Sequence, residues 1–245
     1  MNIFYHLVCR KRTLLLLGLL FFIYSATCSG QSNFVLEPSI GYGTFRMQGM
    51  KAFQRNLIQQ VPVGVHITDE FPAFYIFGLR GAKALKDNLH VGFILETGST
   101  GGRASYADYS GQLNFDQLMH YYSGGIYVEK KVYQNAFNFF YGLEAHALLN
   151  TFALKSYVQI NNEEETDLEE FESIGGALKP YLGIAYAVKK LEFGTRLGYL
   201  IDINKPFHVK GQPEAVVIQD NSGKYLTPNW QGFRLNLFVR YYLHI

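Results

Sequence analysis

Glu144 and His146 stand two residues apart in a stretch whose polarity alternates, so both side chains point to the same face of a strand. A carboxylate beside an imidazole is the arrangement of a general-base pair, and the same groups can serve as metal ligands. The alternative is a histidine that completes a buried hydrogen-bond network. Because no second histidine lies on that face of the strand, the sequence favours the network.

Two further stretches could bind ligands. Residues 98–103, Gly-Ser-Thr-Gly-Gly-Arg, resemble a phosphate-binding loop in composition, but they lack the Gly-Lys-Ser/Thr ending, so they predict an exposed hairpin loop with glycines at positive φ. Residues 161–173 carry seven acidic side chains and predict a solvated surface loop, with divalent-cation binding as the alternative. No catalytic motif indicates a hydrolase, and the sequence predicts no cofactor and no metal site.

The C-terminal sequence indicates which type of secondary structure holds these residues in place. From Phe233 to Ile245, apolar residues alternate without a break with mostly polar ones that include Arg234 and Arg240. Such a strand is long for a soluble sandwich, whereas a strand crossing a bilayer needs about 9–11 residues, apolar outward and polar inward. The pattern predicts a membrane-spanning strand.

Seven other segments repeat this alternation, and the connections between them are alternately long and short. The segments are 36–43, 73–80, 89–96, 121–129, 139–150, 181–189 and 191–202; the long connections are 47–71, 97–115, 155–174 and 204–230. The predicted fold is all-β: an eight-stranded antiparallel up-and-down transmembrane β-barrel with short periplasmic turns and long extracellular loops. Pro38 and Pro180 are expected near strand ends or bulges. Met50, Phe53 and Leu57 predict a short helix that caps the barrel mouth.

The parity of these strands points a set of charged side chains inward. They are Glu37, Arg80, Glu96, Glu129, Glu144, His146, Glu192, Arg196, Arg234 and Arg240, and Lys189 is expected among them. Side chains fill the interior of an eight-stranded barrel, so these groups predict a structural network of buried ion pairs. The alternative is a path for protons or ions.

The N-terminus predicts export. Arg10, Lys11 and Arg12 precede an apolar run at 14–24 and then small residues, which is the pattern of a secretory signal peptide over residues 1–30. Cleavage after Gly30 leaves one barrel domain, residues 31–245, and removes both cysteines; the alternative is a lipoprotein acylated at Cys28. The formal net charge then changes from +2 to −1, and a nucleic-acid partner is not expected.

Two stretches, Gly41 to Met47 and Ser99 to Gly111, resemble the small outer-membrane β-barrel proteins of Bacteroidetes-type bacteria, the outer membrane protein beta-barrel domain family. The resemblance implies an outer-membrane location and an eight-stranded barrel, and it assigns no catalytic residue. The chain departs from the usual aromatic end of such proteins at Ile245, which bears on recognition by the barrel-assembly machinery.

These patterns predict a non-enzymatic integral outer-membrane protein with a role in envelope structure or in surface interaction through its long loops. Its expected partners are outer-membrane lipid, lipopolysaccharide and the barrel-assembly machinery. Two alternatives are a narrow pore or small-solute transporter, and a soluble lipocalin-like barrel with its apolar residues inside. An enzyme acting on lipids would need a nucleophile, a base and an acid near one rim of the barrel.

Overall fold

The computed structural model describes residues 33–109, 111–134, 137–160, 163–219 and 223–244, and the predicted leader lies outside these ranges. Helix α1 covers Gln48–Gln59, and a turn of 3-10 helix covers Lys86–Asn88. The strands are β1 (Asn33–Gly43), β2 (His66–Glu70), β3 (Phe74–Ala84), β4 (Leu89–Asp108), β5 (Gly111–Gln134), β6 (Phe137–Ile160), β7 (Glu163–Val188), β8 (Leu191–Asn204), β9 (His208–Val209), β10 (Gln212–Val216) and β11 (Gly232–His244). Neither helix in the described ranges is long and apolar enough to cross a membrane.

Eight strands close into an antiparallel ring in the order β1, β3, β4, β5, β6, β7, β8 and β11, with β11 paired to β1. They are the eight predicted strands, so the predicted barrel is confirmed. Following paired residues from Ile40 around the ring reaches β7 at Ile174 in one direction and at Ile184 in the other, a stagger of 10 residues. This stagger tilts the strands and leaves an interior just wide enough for side chains.

The alternation of the strands gives the barrel an apolar outside and a polar inside. Ile40, Ile126 and Leu237 lie on the outer face, and Ile126 is 67% exposed, although such residues are usually buried in soluble proteins. Two belts of aromatic side chains border this apolar surface. Phe137, Tyr186, Phe193 and Tyr241 form one belt near the short turns, and Tyr42, Phe74, Tyr75, Tyr122 and Phe233 form the other. This arrangement is typical of barrels that cross a bilayer.

Two of the predicted long connections are strands rather than irregular loops. The pairing of β4 with β5 continues to Asp108 and Gly111, and that of β6 with β7 continues to Ile160 and Glu163. Within the described ranges, residues 97–108 and 111–115, and residues 155–160 and 163–174, are therefore the arms of two long hairpins. Polar side chains also pair across this extended ladder, as where Arg103 pairs with Asp116.

An apolar cluster, here called the mouth plug, closes the barrel at the end where these hairpins project. Helix α1 contributes Met50, which confirms the predicted helix, and its Phe53 ring meets Phe152 edge-on at 6.0 Å. Phe207, Leu226 and Trp230, which lie between β8 and β11, pack into this cluster as well. The plug comprises Phe45, Met47, Met50, Phe71, Ile76, Met119, Tyr121, Leu148, Phe152, Phe171, Ala177, Leu200, Phe207, Leu226 and Trp230.

The prediction of a glycine loop at residues 98–103 is wrong, because this stretch lies within β4 and none of its glycines has a positive φ. A Cβ at Gly98 would lie 2.6 Å from the Tyr121 ring, and one at Gly102 would lie 2.9 Å from Gln54 Nε2. These glycines make room for inward side chains.

The positions expected for the two prolines are also wrong. Pro38 and Pro180 lie inside β1 and β7, each paired to a neighbouring strand on one side. On the other side the ladder of β1 with β11 is interrupted between Leu36 and Ser39, and that of β7 with β8 between Leu178 and Tyr181. The register is the same before and after each interruption, so the strand tolerates a residue that has no N–H to donate.

Candidate functional site in the barrel lumen

Arg240 is the centre of the charged lumen near the short turns. Its Nε donates to Glu37 Oε2 at 2.6 Å, its Nη2 to Glu129 Oε1 at 2.8 Å and its Nη1 to Glu192 Oε2 at 3.1 Å. The register supplies this geometry, because Arg240 of β11 pairs with Glu192 of β8. All four side chains are buried, so the ionic hydrogen bonds compensate for the loss of hydration.

Two of these carboxylates accept hydrogen bonds from a further cation. Arg196 Nη2 donates to Glu37 Oε1 at 2.5 Å, and Lys131 Nζ donates to Glu192 Oε2 at 2.7 Å. Asn138 Nδ2 donates to the other oxygen of Glu192 at 2.8 Å. The Glu37 and Glu192 carboxylates thus have partners on both oxygens, as buried charges require.

Glu144 holds a second group of charges, nearer the mouth. Arg80 Nη2 contacts Glu144 Oε1, Lys179 Nζ lies 2.8 Å from Oε2, and His146 Nε2 lies 2.9 Å from Oε2. Arg80 Nη1 is also 3.8 Å from carboxylate oxygens of both Glu37 and Glu129, which connects the two groups.

Glu96 ends the charged region on the side of the mouth. Lys179 Nζ donates to Glu96 Oε2 at 2.6 Å, and the Tyr121 hydroxyl donates to Glu96 Oε1 at 2.7 Å. Tyr121 also belongs to the mouth plug, where its ring lies 4.6 Å from that of Trp230. One tyrosine therefore joins the charged region to the apolar one.

Aromatic rings separate the cations from one another. The Arg80 guanidinium lies 4.7 Å from the ring centre of Tyr127 and 4.8 Å from that of Tyr181. Arg196 lies 4.8 Å from the ring centre of Phe238. Each contact places a positive charge over the negative face of a ring, which lowers the cost of burying like charges together.

The structure places all ten residues of the predicted network inside the barrel, each at most 6% exposed. Nine of them connect through ion pairs. Arg234 does not join them; it donates to the backbone oxygens of Thr44 at 2.6 Å and Trp230 at 2.5 Å. The placement of Lys189 is wrong, because β7 ends at Val188 and Lys189 is exposed in the β7–β8 turn with φ of 56°.

Lys131 and Lys179 also lie in the lumen and are not among the predicted residues, although the same alternation contains both. Lys131 shares parity with Glu129, and Lys179 shares parity with Tyr181, but the predicted strands stopped at residue 129 and began at residue 181. The lumenal charge network is here defined as Glu37, Arg80, Glu96, Glu129, Lys131, Glu144, His146, Lys179, Glu192, Arg196 and Arg240.

Ser123 extends the predicted pair of Glu144 and His146 into a line of three side chains. Ser123 Oγ lies 3.3 Å from His146 Nδ1, and His146 Nε2 lies 2.9 Å from Glu144 Oε2. This is the connectivity of a serine, histidine and acid triad. However, Ser123 and His146 are buried at 7% and 6% exposure, and Glu144 is already paired with Arg80 and Lys179.

The acidic stretch is on the projecting hairpin rather than in an irregular loop. Glu163 to Glu170 are exposed along β7, and Lys210 Nζ lies 2.7 Å from Glu170 Oε2. The hydrogen bond to Glu170, followed by its charge, raises the pKa of Lys210. Within the described ranges, no group of three or more His, Cys, Asp or Glu side chains is arranged to hold a metal ion.

These features define a closed antiparallel β-barrel with an apolar outer belt, a charged and filled lumen, and a plugged mouth. No protein-family model and no curated protein matches the chain. Several solved structures are similar to the chain, among them three outer-membrane or surface proteins. The outer membrane protein OprG from Pseudomonas aeruginosa is 13% identical with a TM-score of 0.45, over 88% of this chain and 98% of that one.

Neisserial surface protein A is 14% identical with a TM-score of 0.34, over 87% of this chain and 99% of that one. The outer membrane protease OmpT from Escherichia coli is 8% identical with a TM-score of 0.33, over 87% of this chain and 96% of that one. Each TM-score is below 0.5, so function is inferred below from the residues of this chain.

Proposed function

We propose that the protein is an integral β-barrel of the bacterial outer membrane without enzymatic activity, which acts in envelope structure or in surface interactions through its β4–β5 and β6–β7 hairpins. The observation that carries this proposal is the apolar outside around a charged inside. A soluble lipocalin-like barrel has the opposite arrangement. The closed ring also pairs the backbone groups of the spanning strands, which a bilayer requires.

The filled lumen supports a structural role over the alternative of a pore. The lumenal charge network occupies the half near the short turns, and the mouth plug occupies the other half. An aqueous path would need these ion pairs to separate and the plug to leave. We therefore expect purified protein in planar bilayers to show no steady conductance, and a stable open channel would favour the pore.

The burial of Ser123, His146 and Glu144 supports the proposal that the protein has no enzymatic activity. A serine nucleophile must reach its substrate, whereas Ser123 lies beneath the mouth plug and also bonds to the backbone oxygen of Glu96 at 3.2 Å. We expect folded protein in detergent to remain unlabelled by a fluorophosphonate probe. Labelling that is lost in Ser123→Ala would establish an active serine and overturn this part of the proposal.

Two leucines of similar exposure provide a test of membrane insertion. Leu237 is 60% exposed on the outer face of β11 within the apolar belt, and Leu168 is 58% exposed on the projecting part of β7. An arginine near the middle of a bilayer costs roughly 2–4 kcal/mol on a barrel's lipid face. Leu237→Arg should therefore reduce recovery from the outer membrane, while Leu168→Arg should not.

The measurement is cell fractionation followed by electrophoresis with and without boiling. We expect wild-type protein in the outer-membrane fraction, with a heat-dependent change in mobility that reports the folded barrel. Protein recovered as a soluble periplasmic species, with Leu237→Arg and Leu168→Arg equally soluble, would contradict the proposal.

A further inference from the structure

The outer surface of the barrel carries an apolar groove across β1, β11, β8 and β7, with a volume of about 730 Å³. One row of paired outward residues explains its depth: Thr195 lies between Leu237 and Ile184 and is smaller than both. The next row toward the short turns contains Phe193 and Tyr186, which also line the groove. The groove therefore lies within the apolar belt and opens next to aromatic side chains.

Two exposed lysines lie just beyond the groove toward the short turns. Lys189 and Lys190 form the β7–β8 turn, three residues after Tyr186 and three before Phe193, or roughly 10 Å along the strands. The nearest carboxylate in the sequence, Glu192, points into the lumen and is bonded to Lys131 and Arg240. Glu192 therefore does not neutralise the positive charge that Lys189 and Lys190 present at the turn.

From this juxtaposition we infer a binding site for an anionic phospholipid of the periplasmic leaflet, with one acyl chain in the groove and the phosphate at Lys189 and Lys190. The groove matches a hydrocarbon chain in polarity, and the lysines match the phosphate in charge. A soluble anion would leave the groove empty, and an apolar protein segment would not use the lysines. The inference rests on the proposed function, because the short turns must face the periplasm.

The test is native mass spectrometry of protein extracted from vesicles of equal phosphatidylglycerol and phosphatidylcholine. We expect wild-type protein to retain one phosphatidylglycerol in preference to phosphatidylcholine by roughly tenfold, since each lysine at a membrane surface favours an anionic lipid. The double variant Lys189→Asn, Lys190→Gln should lose this preference; asparagine is chosen because it tolerates the positive φ at position 189. Thr195→Trp fills the groove and should reduce retention of both lipids.

Matched controls separate this site from a general effect of surface charge or bulk. Lys83 near the end of β3 and Lys86 in the β3–β4 turn are exposed and do not line the groove, so Lys83→Gln with Lys86→Gln removes the same charge. Ile126→Trp adds bulk to the lipid face outside the groove. Both controls should retain phosphatidylglycerol as wild type does.

The outcomes distinguish this inference from the proposed function. A heat-dependent mobility shift, measured for every variant, reports insertion independently of lipid retention. Inserted wild-type protein without a lipid preference, or equal losses in the two lysine pairs, would overturn the site while leaving the barrel intact. Wild-type protein that does not insert would overturn both. If the double variant does not insert, Lys190→Gln and Thr195→Trp carry the test, and unchanged retention in both would overturn the site.

Discussion

The two halves of the lumen are closed by different physical means. Near the short turns, Arg240 and its partners fill the space with directional ionic hydrogen bonds between side chains that all come from barrel strands. Near the projecting hairpins, Phe207 and Trp230 fill it with non-directional apolar contacts, and both residues lie outside the barrel strands. The charged half is thus part of the barrel itself, whereas the apolar half is partly an added cover.

This difference affects how cooperatively the two halves of the lumen unfold. Removing one partner from a buried ion pair leaves an uncompensated charge in the lumen, which is strongly destabilising. The network cannot separate from the barrel, because its residues belong to the hydrogen-bonded barrel strands. In contrast, we expect the contacts of Phe207 and Trp230 to open while the ring of eight strands stays paired, since local opening costs less than global unfolding.

Arg240→Met gives the largest expected effect. The substitution keeps an unbranched side chain but leaves Glu37, Glu129 and Glu192 without their shared cation, so we expect the free energy of unfolding to fall by about 3–5 kcal/mol. The measurement is urea unfolding of protein inserted in vesicles. Arg103→Met, which removes an exposed ion pair with Asp116, is the control and should change it by less than about 1 kcal/mol. Equal effects of the two substitutions would contradict a specific role for the network.

A second prediction concerns coupling within the charged half. Lys179→Met removes the cation shared by Glu96 and Glu144, and we expect a loss of about 3 kcal/mol in the free energy of unfolding. Adding Glu96→Gln removes one of the carboxylates left without its lysine, so the double variant should recover about 1 kcal/mol or more. Strictly additive losses in this cycle would show that the two side chains act independently.

The charged half was largely predictable from sequence, and the mouth plug was not. Period-two alternation determines which side of a strand faces inward, so the sequence alone assigns Arg240 and Glu192 to the lumen. The same rule extends to Lys131 and Lys179, which were missed because strand ends are harder to locate than strand interiors, and because Pro180 suggested a boundary. Alternation does not state which glutamate each arginine meets, since that depends on the stagger of the whole ring.

Only part of the mouth plug has a periodic signal. Helix α1 was predicted from the spacing of Met50, Phe53 and Leu57, but Phe207 and Trp230 lie in an irregular segment. Their partners are distant in sequence; Trp230 Nε1, for example, donates to Asn150 Oδ1 at 2.9 Å. Contacts of this kind depend on the folded barrel, and no local pattern of residues encodes them.

Phe207→Ala sharpens the contrast between the two halves. Phe207 is fully buried, with its ring 5.7 Å from that of Phe152, and truncating it leaves a cavity in the mouth plug. We expect the segment between β8 and β11 to open and become sensitive to trypsin at Lys210 and Lys224, while urea unfolding of the barrel shifts by only about 1 kcal/mol. A loss as large as that of Arg240→Met would instead show that plug and barrel unfold as one unit.

Lys210→Ala gives the smallest expected effect and tests whether ionic contacts stabilise the protein outside the lumen. The Lys210 and Glu170 side chains are 60% and 50% exposed, so solvent screens their pair, and we expect no measurable change in urea unfolding at neutral pH. The pKa of Lys210 is raised by Glu170, so any contribution is present below the ordinary pKa of lysine and is lost only as the pH rises through the raised value. A clear loss of stability in Lys210→Ala at pH 7 would mean that the projecting hairpin depends on ion pairs as the lumen does.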